Sequence, residues 1–173
     1  MSSSNPHYEA DPKAFRRTKE NGRDVIIVKP RALNIVWGND DRYWNVPGPR
    51  DDGKPAELLQ VSWLEVAGSV DADPQKTYDV SFRVSLTPDA FGWGSYPIYI
   101  MVKRGKFGKF DWKKVYLTNC DGINRIHLTG KSVQNGREKQ GSTDRKLYFG
   151  MYEVWSGKWK GGLKIHDVTI REV

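Results

Sequence analysis

The sequence predicts an all-β fold: an antiparallel, jelly-roll-like β-sandwich in a single domain. Three observations carry that expectation. Apolar and polar residues alternate with period two, most clearly where Tyr78, Val80, Phe82, Val84 and Leu86 face one way. Turn-forming clusters cut the chain into short segments. No stretch sustains the 3.6-residue period of an amphipathic helix. About eight short strands in a chain of 173 residues make a sandwich the default architecture. A chain of that length buries a sizeable core without disulfides or metals.

Taken in order, residues 1–24 are polar and charged, with Tyr8 and Phe15 as their large apolar groups. They read as a mobile or loosely docked N-terminal arm outside the sandwich, which spans 25–173. The β pattern starts at Val25-Ile26-Ile27-Val28 and continues from Leu33 to Trp37. After Pro47-Gly48-Pro49, Leu59 to Val70 reads as one strand. Glu57 to Leu64 would also pass as a short helix, but the β-branched and aromatic residues that follow favour strand. A turn at Asp71 to Pro74 leads into Lys76 to Leu86, which Pro88 should end because proline cannot donate to a ladder. Ile98 to Lys103, Lys114 to Leu117, Ile123 to Leu128, Leu147 to Trp155 and Leu163 to Arg171 complete the set. Phe91 to Pro97, Asn119 to Gly122, Asn135-Gly136 and Gly161-Gly162 are their turns. The chain shows no internal repeat and no Gly- or Ser-rich linker.

Seven Trp, eight Tyr and six Phe exceed what a core of this size requires, and surplus aromatics tend to sit at recognition surfaces. The lone cysteine, Cys120, excludes an intrachain disulfide. The chain has no Asn-x-Ser/Thr sequon, no signal-peptide pattern at its start and no apolar run long enough to span a bilayer. These features point to a soluble protein of the cytosol or nucleus. Net charge is +7, and Lys103 to Lys146 carries 12 Lys/Arg against four Asp/Glu. That stretch reads either as a solvated face or as a patch for a polyanion such as RNA.

Three constellations could carry chemistry. In the first, Trp37 precedes a polar loop containing Asn39, Asp40 and Asp41, after which Tyr43 and Trp44 return. Aromatic faces pack against the C–H face of a pyranose, and amides and carboxylates pair with its hydroxyl rim. Core packing of both tryptophans is the equal alternative. In the second, Glu153 lies in an otherwise apolar strand ahead of Lys158-Trp159-Lys160. An unpaired carboxylate is costly to bury, so Glu153 should face solvent, a basic partner or a ligand. In the third, Phe107, Phe110 and Trp112 alternate with bases between Lys103 and Lys114. The pattern suits nucleobase stacking, but a cationic hairpin with partly buried aromatics is the favoured reading. Catalysis finds little support. Cys120 and His127 form no nucleophile motif, and His7, His127 and His166 have no metal spacing. Asp40-Asp41 and Asp51-Asp52 match no calcium loop, and no carboxylate pair stands out as a glycosidase dyad. No catalytic residue, metal or cofactor is expected.

These residues also carry a resemblance. The stretch Ala32 to Trp44, the run Ala56 to Gly68, Met151-Tyr152-Glu153, Trp159-Lys160-Gly161-Gly162 and the closing Asp167 to Arg171 resemble plant phloem lectins of the phloem-protein-two, Nictaba-like type. The resemblance covers roughly residues 25 to 173. It implies a non-enzymatic β-sandwich lectin for N-acetylglucosamine oligomers and the chitobiose core of N-glycans. It further implies a homodimer, a role in plant defence, and a nucleocytoplasmic or phloem-sap location. The family's two sugar-contacting tryptophans fall on Trp37 and Trp44, and an acidic residue six before a late tryptophan falls on Glu153, with Trp159 as that tryptophan. A second acidic position falls near Lys146, which is basic here.

Overall fold

The computed structural model describes residues 5–51, 53–118, 122–130 and 145–173. Cys120, Asp52 and the Asn135-Gly136 turn lie outside the described residues, as does much of the basic stretch. Among the described residues twelve strands, all paired antiparallel, form two sheets. The larger contains β1 (Phe15–Glu20), β2 (Arg23–Val28), β4 (Trp44–Asn45), β5 (Ala56–Leu58), β7 (Tyr78–Phe91), β10 (Asn124–Gly130) and β12 (Gly161–Glu172). The smaller runs in the order β3 (Asn34–Ile35), β6 (Leu64–Asp71), β11 (Lys146–Glu153), β8 (Ile98–Arg104) and β9 (Asp111–Val115). No helix among the described residues is long and apolar enough to cross a membrane.

The alternating residues do what their period implies. Tyr78, Val80, Phe82, Val84 and Leu86 of β7 point into the core, and Phe82 meets Phe149 of β11 across the sandwich with ring centroids 6.0 Å apart. Gly68 on β6 leaves room for that ring: a Cβ there would lie 2.7 Å from Phe149 Cζ. Long β12 ties the larger sheet together, with β7 along one side and β5 and β2 in succession along the other.

Several elements differ from the sequence expectation. Part of the polar arm is strand. β1 pairs with β2 from Phe15↔Val28 to Glu20↔Arg23 through the two-residue turn Asn21-Gly22. Both turn residues have positive φ, 51° and 77°, the geometry that suits Asn-Gly to tight hairpins. Arg16, Arg17, Lys19 and Glu20 project from an exposed edge strand, which hides it from any apolar periodicity and guards the edge against further pairing. Upstream, Tyr8 exchanges two 2.9 Å backbone hydrogen bonds with Ile35 beside β3.

Leu59 to Val70 is not one strand. Residues 59–63 cross from β5 in the larger sheet to β6 in the smaller. The crossing is pinned where Val61 and Lys160 exchange two 2.9 Å backbone hydrogen bonds. Pro88 does not end β7, which reaches Phe91. It lies in a register shift against β12, between the pairs Leu86↔Leu163 and Phe91↔Gly161, where the ladder requires no N–H from it. Gly162 sits opposite that bulge at φ 82°, and a Cβ there would lie 2.6 Å from Ala90 Cα.

Candidate functional site

The crossing segment, the loop after β3 and the loop between β11 and β12 meet at one end of the sandwich. There Trp37, Tyr43, Val61, Ser62, Trp63 and Trp159 line an open cleft of about 130 Å³. Trp37 and Trp159 are 37% and 52% exposed, and Trp63 is exposed as well, so these indoles offer aromatic faces to solvent. Tyr43 stands between two of them, 5.9 Å from Trp37 and 6.3 Å from Trp159 between ring centroids.

Trp37 holds an unusual backbone. Its φ is +65°, a region that bulky side chains rarely adopt. Strain of this kind costs about 1–3 kcal/mol and persists only where surrounding structure enforces it. The enforcement comes from the N-terminal residues. The Trp37 N–H donates to His7 Nδ1 at 3.0 Å, and the two rings meet edge to face at 5.0 Å. Asn39 Nδ2 donates to the carbonyls of Asn5 and His7, both at 3.0 Å, and its own N–H to Pro6 O at 3.1 Å. Asn39, expected to meet a ligand, therefore straps residues 5–7 across the loop. Asp40, also expected to meet a ligand, is clamped by Arg42: Nη2 donates to Oδ2 at 2.7 Å, and Nε and the backbone N–H donate to Oδ1 at 3.0 Å. Those hydrogen bonds lower the Asp40 pKa from its ordinary value. The Arg42 guanidinium in turn stacks 5.1 Å from the Tyr43 ring centre.

Two expected site residues face inward. Trp44 is 1% exposed and belongs to the core, so its ring has no face to offer a ligand. Successive strand residues point to opposite sides, and with Trp44 turned in, its neighbour Tyr43 takes the place beside Trp37. Glu153 is 2% exposed. Its Oε1 accepts from the Ser156 hydroxyl and its Oε2 from the Ser156 N–H at 3.4 Å. Lys160, 1% exposed, brings its Nζ to 3.8 Å from Glu153 Oε1 and donates to the carbonyls of Ser62 at 2.8 Å and Lys158 at 2.9 Å. Burial lowers the Lys160 pKa, with Glu153 opposing the shift. The pair thus fastens the 154–160 loop to the crossing segment beneath the cleft, and the expected carboxylate–ligand contact is replaced by a buried ion pair.

Lys146 pairs with Asp71 at the opposite end of β11 from Glu153. Seven residues of strand separate the two by about 23 Å, so the basic substitution lies outside the aromatic cleft. It lines a larger, charged concavity with Arg17, Asp24 and Asp73, where no exposed ring is present. Phe107, Phe110 and Trp112, read as partly core, are exposed on the β8–β9 hairpin, and Lys103 Nζ lies 4.6 Å from the Phe110 ring centre. Among the described residues no cluster of three His, Cys, Asp or Glu could hold a metal.

The cleft residues not anticipated are Val61, Ser62, Trp63 and the supporting His7, and Tyr43 takes the place expected of Trp44. One signal for Trp63 was present: Leu59, Val61, Trp63 and Leu64 break strict alternation, which fits a crossover better than a strand.

Comparison with known proteins identifies the family. Residues 23–172 match the family described as Phloem protein 2. The chain is 39% identical over 186 residues to PHLOEM PROTEIN 2-LIKE A9 of Arabidopsis thaliana, covering 96% of both chains. It is 34% identical over 87 residues to a protein named Lectin from Luffa acutangula, covering 47% of this chain and 42% of that one. Among solved structures, the GH26-CBM35 β-(1,4)-mannanase of Podospora anserina overlays with a TM-score of 0.51 at 9% identity, over 86% of this chain and 28% of that one, a likeness of fold alone. A family match over nearly the whole sandwich and a relative that covers almost all of the chain agree: the chain belongs to the phloem protein 2 family.

Proposed function

We propose that this protein is a lectin that binds carbohydrate without turning it over, and that the saccharide sits in the cleft among Trp37, Tyr43, Trp63 and Trp159. The carrying observation is the cluster itself: aromatic faces open to solvent around Ser62, one of them on a strained backbone that neighbouring residues enforce. Aromatic faces stack on the C–H surface of a pyranose, while the Ser62 hydroxyl and the Asp40–Arg42 pair at the loop offer partners to its hydroxyls. The family membership and the relative named Lectin support the same reading.

The ligand class we infer is N-acetylglucosamine oligomers and the chitobiose core of N-glycans, bound by homodimers in phloem sap or the nucleocytoplasm as part of defence. A single such site is weak, about millimolar or −4 kcal/mol, and two sites on a dimer would raise apparent affinity for a multivalent glycan by avidity. Titration of chitotriose into wild type, Trp37→Ala and Trp159→Ala tests the site. The expected outcome is measurable binding by wild type and none by either variant; wild-type affinity in both variants would place the site elsewhere.

A second reading, single-stranded RNA binding, is favoured by the exposed Phe107 and Phe110 with Lys103 and Lys106 at the β8–β9 hairpin. Raising salt separates the two, since phosphate contacts weaken steeply with ionic strength and sugar stacking does not.

A further inference from the structure

A second group of aromatic rings lies on the outer face of the smaller sheet. Tyr99 on β8 alternates outward between buried Ile98 and Ile100. Its ring centre lies 5.2 Å from Trp112 of β9 and 4.8 Å from Trp155 of the 154–160 loop. Trp112 and Trp155 are each 60% exposed, so Tyr99 is flanked by two open indoles. Tyr152 pairs with Tyr99 and lies down over Gly150, where a Cβ would sit 2.6 Å from its Cζ. The missing side chain at Gly150 lets that ring rest along the sheet, and burial raises its phenol pKa.

This group is continuous with the cleft by two routes. Trp63, in the cleft lining, donates its indole N–H to Glu65 Oε1 at 3.3 Å, and Glu65 pairs with Tyr152. The row Glu65, Tyr152, Tyr99 and Lys114 then crosses four adjacent strands. At the usual strand spacing that is about 14 Å, longer than one sugar ring. The 154–160 loop gives the second route. Fastened by the buried Glu153–Lys160 pair, it presents Trp159 to the cleft and Trp155 to Tyr99.

We propose that Tyr99, Trp112, Trp155 and Tyr152 form a second glycan subsite, and that the protein binds an extended oligosaccharide laid from the cleft across the smaller sheet. The proposal rests on the carbohydrate reading of the cleft and adds to it a preference for chain length. A polysaccharide strand offers C–H faces repeatedly along its length, and aromatic platforms set apart on one continuous surface match that repetition.

Calorimetric titration of the full chain with chitotriose and chitohexaose tests it. Wild type should bind the hexamer at least tenfold more tightly than the trimer. Trp155→Ala and Trp112→Ala should each lose most of that gain while keeping wild-type affinity for the trimer. Both rings are largely exposed and sit on different elements, so the variants should fold and a circular dichroism spectrum checks that they do. Trp112→Ala also controls for any disturbance that Trp155→Ala transmits along the loop to Trp159. Equal wild-type affinity for both oligomers, or a length gain kept in both variants, would overturn the second subsite and leave the cleft standing. Binding of neither oligomer by wild type would overturn both. An unchanged length gain, with the variants losing affinity for single-stranded oligouridine instead, would assign this face to nucleic acid and also overturn the proposal.

Discussion

Trp37 and Trp44 look alike in the sequence, flanking the same polar loop, yet the fold gives them opposite duties. Trp44 fills the core, so Trp44→Ala should cost about 3–5 kcal/mol. Trp159→Ala, at an exposed position, should fall within about 0.5 kcal/mol of wild type. Urea unfolding of the two variants checks this, and equal midpoints would mean that Trp44 does not carry the packing seen here. The distinction was illegible in the sequence because β4 is two residues long and offers no period from which to read sidedness. Glu153 was more legible. Leu147, Phe149, Met151 and Glu153 share one strand parity, and that parity points inward. What the sequence concealed was the partner, since Lys160 is brought back by a loop. Breaking a buried pair leaves an uncompensated charge, so Glu153→Ala should destabilise by about 3–5 kcal/mol. Its loss of glycan binding should accompany that instability. A Glu153→Ala protein as stable as wild type but unable to bind would return Glu153 to direct ligand contact.

Among the elements, the long strands were readable because each buries one face: β7 keeps its period from Tyr78 to Leu86, and β12 keeps one on either side of the register shift at His166. The N-terminal elements were not, because β1 is charged or polar on every exposed position and residues 5–8 dock largely through backbone hydrogen bonds and His7, with Tyr8 as their one apolar contact to the core. Asn21-Gly22 was the available signal. The strap formed by residues 5–8 makes a testable demand on the cleft. His7 accepts from the Trp37 N–H and packs against its ring. A hydrogen bond of about 1 kcal/mol corresponds to roughly fivefold in an equilibrium. His7→Ala should therefore release the strained Trp37 backbone and weaken chitotriose binding by about fivefold, with little change in global stability. Titration together with amide exchange at Trp37 would show it. Unchanged affinity and unchanged exchange would mean that the rest of the loop holds Trp37 unaided.

At the scale of the molecule, the cleft and the buried histidine of the larger sheet are separated. The cleft lies at the end where the chain crosses between sheets, and the smaller sheet extends from it. On the larger sheet, His166 sits at a register shift in β12 with Nε2 2.7 Å from Ser85 Oγ. Burial first, then the neighbouring positive charge of Arg83 and Lys164, lowers its pKa below the ordinary 6.5, against an opposing pull from Asp167. The folded imidazole thus resists a proton that the unfolded chain accepts. Between 6.5 and the lower folded value the unfolded state binds more protons, so stability falls as pH falls. The contribution is intact above pH 6.5 and declines on acidification. His166→Gln removes the titration, so between pH 7.5 and 5.5 the variant should lose less stability than wild type in urea unfolding. Because His166 is remote from Trp37 and Trp159, chitotriose affinity should be the same in variant and wild type at pH 7.5. Parallel losses of stability in the two proteins would show that His166 does not govern the acid limb, and a fall in affinity would tie the larger sheet to the cleft.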